Sequence, residues 1–144
     1  MSNNQIVAPV IALAGWTLLI WGWMVVTRLP ALRAAGIKLS KLRGGTGRGA
    51  DGVVPDKTQW IAHNYNHLHE APTVFYAVAL ALAAIGQGNG LNADLAWLYV
   101  ALRVVHSLIQ TLWNQVLWRF VAYLASQLVI AAMVISAACA LLMQ

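Results

Sequence analysis

From Ile6 to Thr27 the chain runs for 22 residues without a charged side chain. At about 1.5 Å per residue a helix of that length crosses the roughly 30 Å of bilayer hydrocarbon. Inside hydrocarbon every backbone N–H and C=O must find its partner within the segment or in a closed barrel, so such a stretch points to a membrane helix. No Lys or Arg precedes it and no A-x-A-like cleavage site follows, which separates it from a secretory signal. The rest of the chain agrees. Of its 144 residues 60% are hydrophobic and 9% charged. So few charges cannot cover a water-soluble domain, and a disordered chain needs the opposite balance. A single Cys excludes an intrachain disulfide and a Cys-rich zinc site.

Three further segments, 59–85, 95–113 and 116–143, join residues 6–27 in a predicted all-α integral membrane protein. It is a bundle of four transmembrane helices built as one domain over residues 1–144. Seven of the nine basic residues, Arg28, Arg33, Lys38, Lys41, Arg43, Arg48 and Lys57, lie in the link 28–58. Arg119 stands beside the short Asn114-Gln115 turn, and the 86–94 turn carries no positive charge. The positive-inside rule therefore places the link in the cytoplasm and both termini on the non-cytosolic side of a multi-pass protein. Trp21, Trp23, Trp60, Trp113 and Trp118 fall at the same predicted boundary, as an aromatic belt does. Within the link, the 44–52 stretch GGTGRGADG lacks the strand, the helix and the G-K-[ST] of a phosphate loop and reads as a flexible linker. The link's charges suit anionic lipid headgroups. With no folded basic domain beside them they do not suit nucleic acid.

Polar groups inside spans are expensive, so they mark function first. In the second span His63, His67 and Glu70 are spaced i, i+4 and i+7, which puts them on one helical face. In the third, Arg103, His106 and Gln110 at i, i+3 and i+7 do the same. Counted at about 1.5 Å per residue, Glu70 and Arg103 lie roughly 16 and 15 Å above the inner boundary. His67 and His106 share a level near about 11 Å, and His63 and Arg119 one near about 6 Å. This ladder predicts a Glu70–Arg103 ion pair at mid-membrane and a hydrated cavity below it, where Arg103 and Arg119 meet an anion. A metal held by His63, His67, Glu70 and His106 is an alternative, although H-E-x-x-H is absent. A non-catalytic scaffold or lipid-binding protein is another. Cys139, at the far end of the fourth span, reads as a small buried hydrophobe.

These motifs resemble those of MAPEG, the membrane-associated proteins of eicosanoid and glutathione metabolism. The likeness is nearest to the branch of microsomal prostaglandin E synthase and microsomal glutathione transferase. The family's second span carries Arg, Asn four residues later and Glu three after that, followed by Pro. Here Glu70 and Pro72 match, while His63 and His67 stand at the Arg and Asn positions. Its third span reads R-x-x-[HY]-x-x-x-Y; Arg103 and His106 match and Gln110 replaces the Tyr. Its fourth opens R-S-x-x-Y-x-x-x-Q, and Arg119, Tyr123 and Gln127 match with Phe120 for the Ser. The resemblance implies a homotrimer, here of a bacterial inner membrane, that binds glutathione between subunits and acts on lipophilic small molecules from the bilayer. It implies that Arg119 is catalytic, stabilising the thiolate. His63, His67, Glu70, Arg103, His106, Gln110 and Tyr123 would line the cofactor site.

Overall fold

A computed structural model describes residues 4–41, 43–44 and 47–143. Among these the chain is all-helical. Helix α1 covers Val7–Ala34, α2 Asp56–Glu70, α3 Pro72–Ala84, α4 Leu91–Leu112 and α5 Val116–Leu142. Helices α1, α4 and α5 are each long and apolar enough to cross a membrane. Helices α2 and α3 follow one another through the single residue Ala71, which keeps helical dihedrals. Pro72 is the reason for the break, because it has no N–H to offer the Leu68 carbonyl one turn back. Together they reach about 43 Å at about 1.5 Å per residue, enough for a fourth crossing. The segment from 59 to 85 is thus two helices in line rather than one.

Helix α1 continues past Thr27 through Arg28 and Arg33 before it stops, so the link begins later than its first positive charge suggests. The stop is a glycine reversal. Gly36 takes φ +77, and the amides of Ala35, Gly36 and Ile37 close on the carbonyls of Ala31, Arg33 and Leu32. The link then folds back. Ala50 and Val54 bury against Leu32, with Ile37 packed beside them. The 44–52 stretch is therefore docked over its described C-terminal part and not a free linker, while residues 45–46 lie outside the described residues.

Helix α4 holds the bundle together, packing on α1, α2 and most extensively on α5, while α3 packs on α5 and α1 on α2. Its polarity is inside out. The residues it buries include Asn92, Tyr99, Arg103, His106, Ser107 and Gln110, while Trp97, Leu98, Val105, Leu108 and Leu112 face outward. That distribution suits a helix whose outer surroundings are lipid and whose inner face carries the chemistry. Leu13, Ile20, Phe75, Ala79, Leu82, Ala96 and Met133 fill the apolar half of the interior. There the rings of Phe75 and Tyr99 stack with centroids 4.4 Å apart. The N-terminal end of α1 is tied to the 86–90 turn by Ile6 N–H to the Gly88 carbonyl at 2.9 Å and Gln5 N–H to Asn89 Oδ1 at 3.1 Å. The link and the 113–115 turn share the opposite end.

Candidate functional site

At that opposite end α2, α4 and α5 converge. His63 and His67 stand one turn apart on α2, which Glu70 ends, and Arg119 and Tyr123 stand one turn apart near the start of α5. His106 projects between them from the buried face of α4. Its ring centroid is 4.9 Å from that of His67 and 6.5 Å from that of Tyr123. The rings of His67 and Tyr123 stack at 5.7 Å. His106 Nδ1 lies 2.9 Å from the Arg119 backbone oxygen and Nε2 lies 3.2 Å from the side-chain amide of Gln110.

The turn before α5 places Arg119. The amides of Trp113 and Asn114 both bond the Ile109 carbonyl, which ends α4, and Asn114 enters the left-handed region at φ 53. Asparagine tolerates that conformation better than most residues. The reversal leaves its side-chain oxygen where Arg119 NH1 donates to it. Arg119 Nε is buried and has no partner among the described residues.

Two open clefts meet at the pair His67 and Arg119. One, of about 210 Å³, is mainly apolar and is lined by His106, Val116, Phe120 and Tyr123 in addition to the shared pair. The other, of about 310 Å³, is polar and is lined by Asp51, His63, Asn66, Glu70 and Gln110 in addition to the same pair. A third chamber of about 280 Å³ continues the polar one through Asp51 and His63 to Asp56, Gln59, Trp60 and Asn114. Chemically, a fixed cation and an imidazole divide a polar compartment from a greasy one.

Seven of the eight residues singled out from sequence line these clefts; Arg103 does not. It is fully buried, and NH2 reaches the His67 carbonyl oxygen at 3.4 Å, while Nε and NH1 have no partner among the described residues. The expected Glu70–Arg103 ion pair is not formed. Depth counting matched their heights, but Glu70 lies on the exposed face of α2 and turns into the polar cleft, away from the face that meets α4. Among the described residues no three His, Cys, Asp or Glu side chains converge to hold a metal ion, so spacing along α2 does not become a ligand set. Cys139 is exposed on α5 rather than buried.

Several residues at the site were not legible as such. Asp51 comes from the link that reads as a linker, and Gln59 Nε2 donates to its Oδ1 at 2.7 Å, with His63 Nε2 3.4 Å from the same oxygen. The signal for it is modest: one of two acids in a basic segment, followed by the apolar pair Val53-Val54. Asn64 donates to the Ser107 hydroxyl, a buried bond between α2 and α4. Asn114, Val116 and Phe120 enter through the turn geometry alone.

The model of the MAPEG family matches residues 6–139. The chain belongs to the MAPEG family. The match runs from the start of α1 into the last turns of α5, so α2, α3, α4 and the link fall within it. No curated protein and no solved structure matches the chain. As a MAPEG protein it is a helical membrane protein, in agreement with its three long apolar helices and the broken fourth.

Proposed function

We propose that this MAPEG protein is a membrane thiol transferase that joins a glutathione-like thiol to lipophilic electrophiles. In this reading it works as a homotrimer in a bacterial inner membrane, with the clefts opening to the cytosol. The observation that carries the reading is the sharing of Arg119 and His67 by a polar and an apolar cleft. A water-soluble thiol enters the polar compartment and an apolar electrophile the other. Their reacting atoms meet at the shared wall, where holding two reactants together supplies much of the rate.

Arg119 is the thiolate stabiliser. A free thiol titrates near about 8.5, and an adjacent fixed cation lowers that value. Two pH units correspond to about 2.7 kcal/mol of differential stabilisation. Asn114 accepts from NH1 at one end of the guanidinium, while the buried Nε has no partner among the described residues. With a chlorodinitrobenzene as electrophile, sulfur forms a bond to the ring carbon, chloride leaves with the bonding pair and the thiol proton passes to water.

The test is titration calorimetry of glutathione into detergent-purified protein, with conjugation of the chlorodinitrobenzene followed in parallel and Arg119→Ala as control. Saturable binding and thiol-dependent conjugation that falls at least tenfold in Arg119→Ala are expected. Turnover unchanged by that substitution would remove Arg119 from the chemistry. Absence of both binding and conjugation would leave a non-catalytic scaffold.

A further inference from the structure

We infer that the preferred thiol is poorer in carboxylate than glutathione: it carries an ammonium group and no more than one carboxylate. The inference rests on the thiol-transfer reading above and names the substrate class of the same site.

The chain as a whole is basic, with nine Lys and Arg against four Asp and Glu. Its clefts reverse that balance. Three of the four acids, Asp51, Asp56 and Glu70, line the polar cleft and the chamber that continues it, and among the described residues Arg119 is the one Lys or Arg on either lining. A fixed excess of negative charge along a cleft favours a cationic group and repels a carboxylate, most strongly at low salt.

The hydrogen bonding points the same way. Gln59, 5% exposed, lines the outer chamber; its Nε2 is taken by Asp51, and its Oε1 has no partner among the described residues. A buried carbonyl oxygen left without a donor, beside two carboxylates, is complementary to an N–H group. Glutathione brings two carboxylates and one ammonium, and its activated sulfur adds another negative charge. Among the described residues of the chain, Arg119, already engaged by Asn114, is the one guanidinium on the polar cleft to meet these three anionic groups. His63, which stands where the family pattern sets an Arg, turns instead to Asp51 at 3.4 Å. Being shorter and lacking a planar fork, it cannot grip a carboxylate in two places as Arg does.

Conjugation of the chlorodinitrobenzene is measured with four thiols: glutathione, its glycine monoethyl ester, cysteamine and N-acetylcysteine. At low salt the ester and cysteamine are expected to exceed glutathione at least tenfold in kcat/KM, with N-acetylcysteine last. Asp51→Asn and, separately, the exposed Asp56→Asn are each expected to narrow the ester-to-glutathione ratio at least threefold, and added salt to narrow it further. Equal or better use of glutathione than of its ester by the unaltered protein overturns the inference and leaves the thiol-transfer reading standing. A ratio that neither variant moves overturns it as well. No conjugation with any of the four overturns both.

Discussion

His106 Nδ1 lies 2.9 Å from the backbone oxygen of Arg119, joining the middle of the site to the first turn of α5. A carbonyl oxygen only accepts, so the ring proton sits on Nδ1. On the other side of the ring Nε2 lies 3.2 Å from Gln110 Oε1. His106 is thereby a positioning residue for Arg119. His106→Phe is expected to lose about 1–3 kcal/mol of stability through the lost bond and the stranded Gln110. Conjugation should fall at the same time. His106→Asn, whose side-chain nitrogen can take the place of Nδ1, should recover part of both. Thermal unfolding in detergent and a conjugation assay on the two variants check this; equal loss in both would show that ring packing, not the bond, matters.

Asn114 does two things that different substitutions separate. It accepts from Arg119 NH1, and it occupies the left-handed region at φ 53. Asn114→Gly keeps the backbone and removes the acceptor, so Tm should hold while kcat/KM falls roughly tenfold, the equivalent of about 1.4 kcal/mol. Asn114→Ala removes the acceptor and adds about 1–2 kcal/mol of backbone strain, so its Tm should fall as well. If the two variants behave alike in both assays, the turn is not what sets Arg119.

How far the sequence announces this molecule depends on which residues are asked. The charge-free run of Ile6–Thr27 and the absence of charge after Arg119 establish membrane helices, because the length and desolvation rules are severe. His67 becomes a real neighbour of His106 and Arg103 across α2 and α4, since a helix fixes its own faces. The Glu70–Arg103 pairing does not follow, because height along a bundle says nothing about rotation of one helix against the next. Asp51 is hidden for another reason: a loop docks through a few apolar contacts, here Ala50 and Val54 on Leu32, that leave no periodic trace.

Asn64 and Ser107 form a buried side-chain hydrogen bond between α2 and α4. Neither lines a cleft, so their bond tests packing apart from chemistry. Asn64→Leu and Ser107→Ala should each destabilise by about 1–3 kcal/mol, since each strands a buried group. The double variant should recover part of the sum, with a coupling energy of about 0.5–3 kcal/mol. Additive losses in a double-mutant cycle would mean that the two side chains do not support one another.

The far end of the bundle supplies a prediction of stability without chemistry. A Cβ at Gly88 would lie 2.9 Å from Ile6 Cγ2 and 3.2 Å from Ala83 Cα. The first contact is with a fully buried side chain and the second with backbone, so neither yields freely. The same glycine accepts the Ile6 amide at 2.9 Å, and any shift that relieves the clash loosens that bond. Gly88→Val should therefore lower stability by about 1–3 kcal/mol, the usual cost of overpacking. Gly86 takes φ +75 with open space around it, so Gly86→Asn, which tolerates the left-handed region, should cost far less. Neither change touches the clefts, and kcat/KM for thiol conjugation should stay within about twofold at temperatures below the transition, a difference of less than about 0.5 kcal/mol. A Gly88→Val protein that melts with the unaltered one would show that Ile6 and the 86–90 turn are not held together in the membrane.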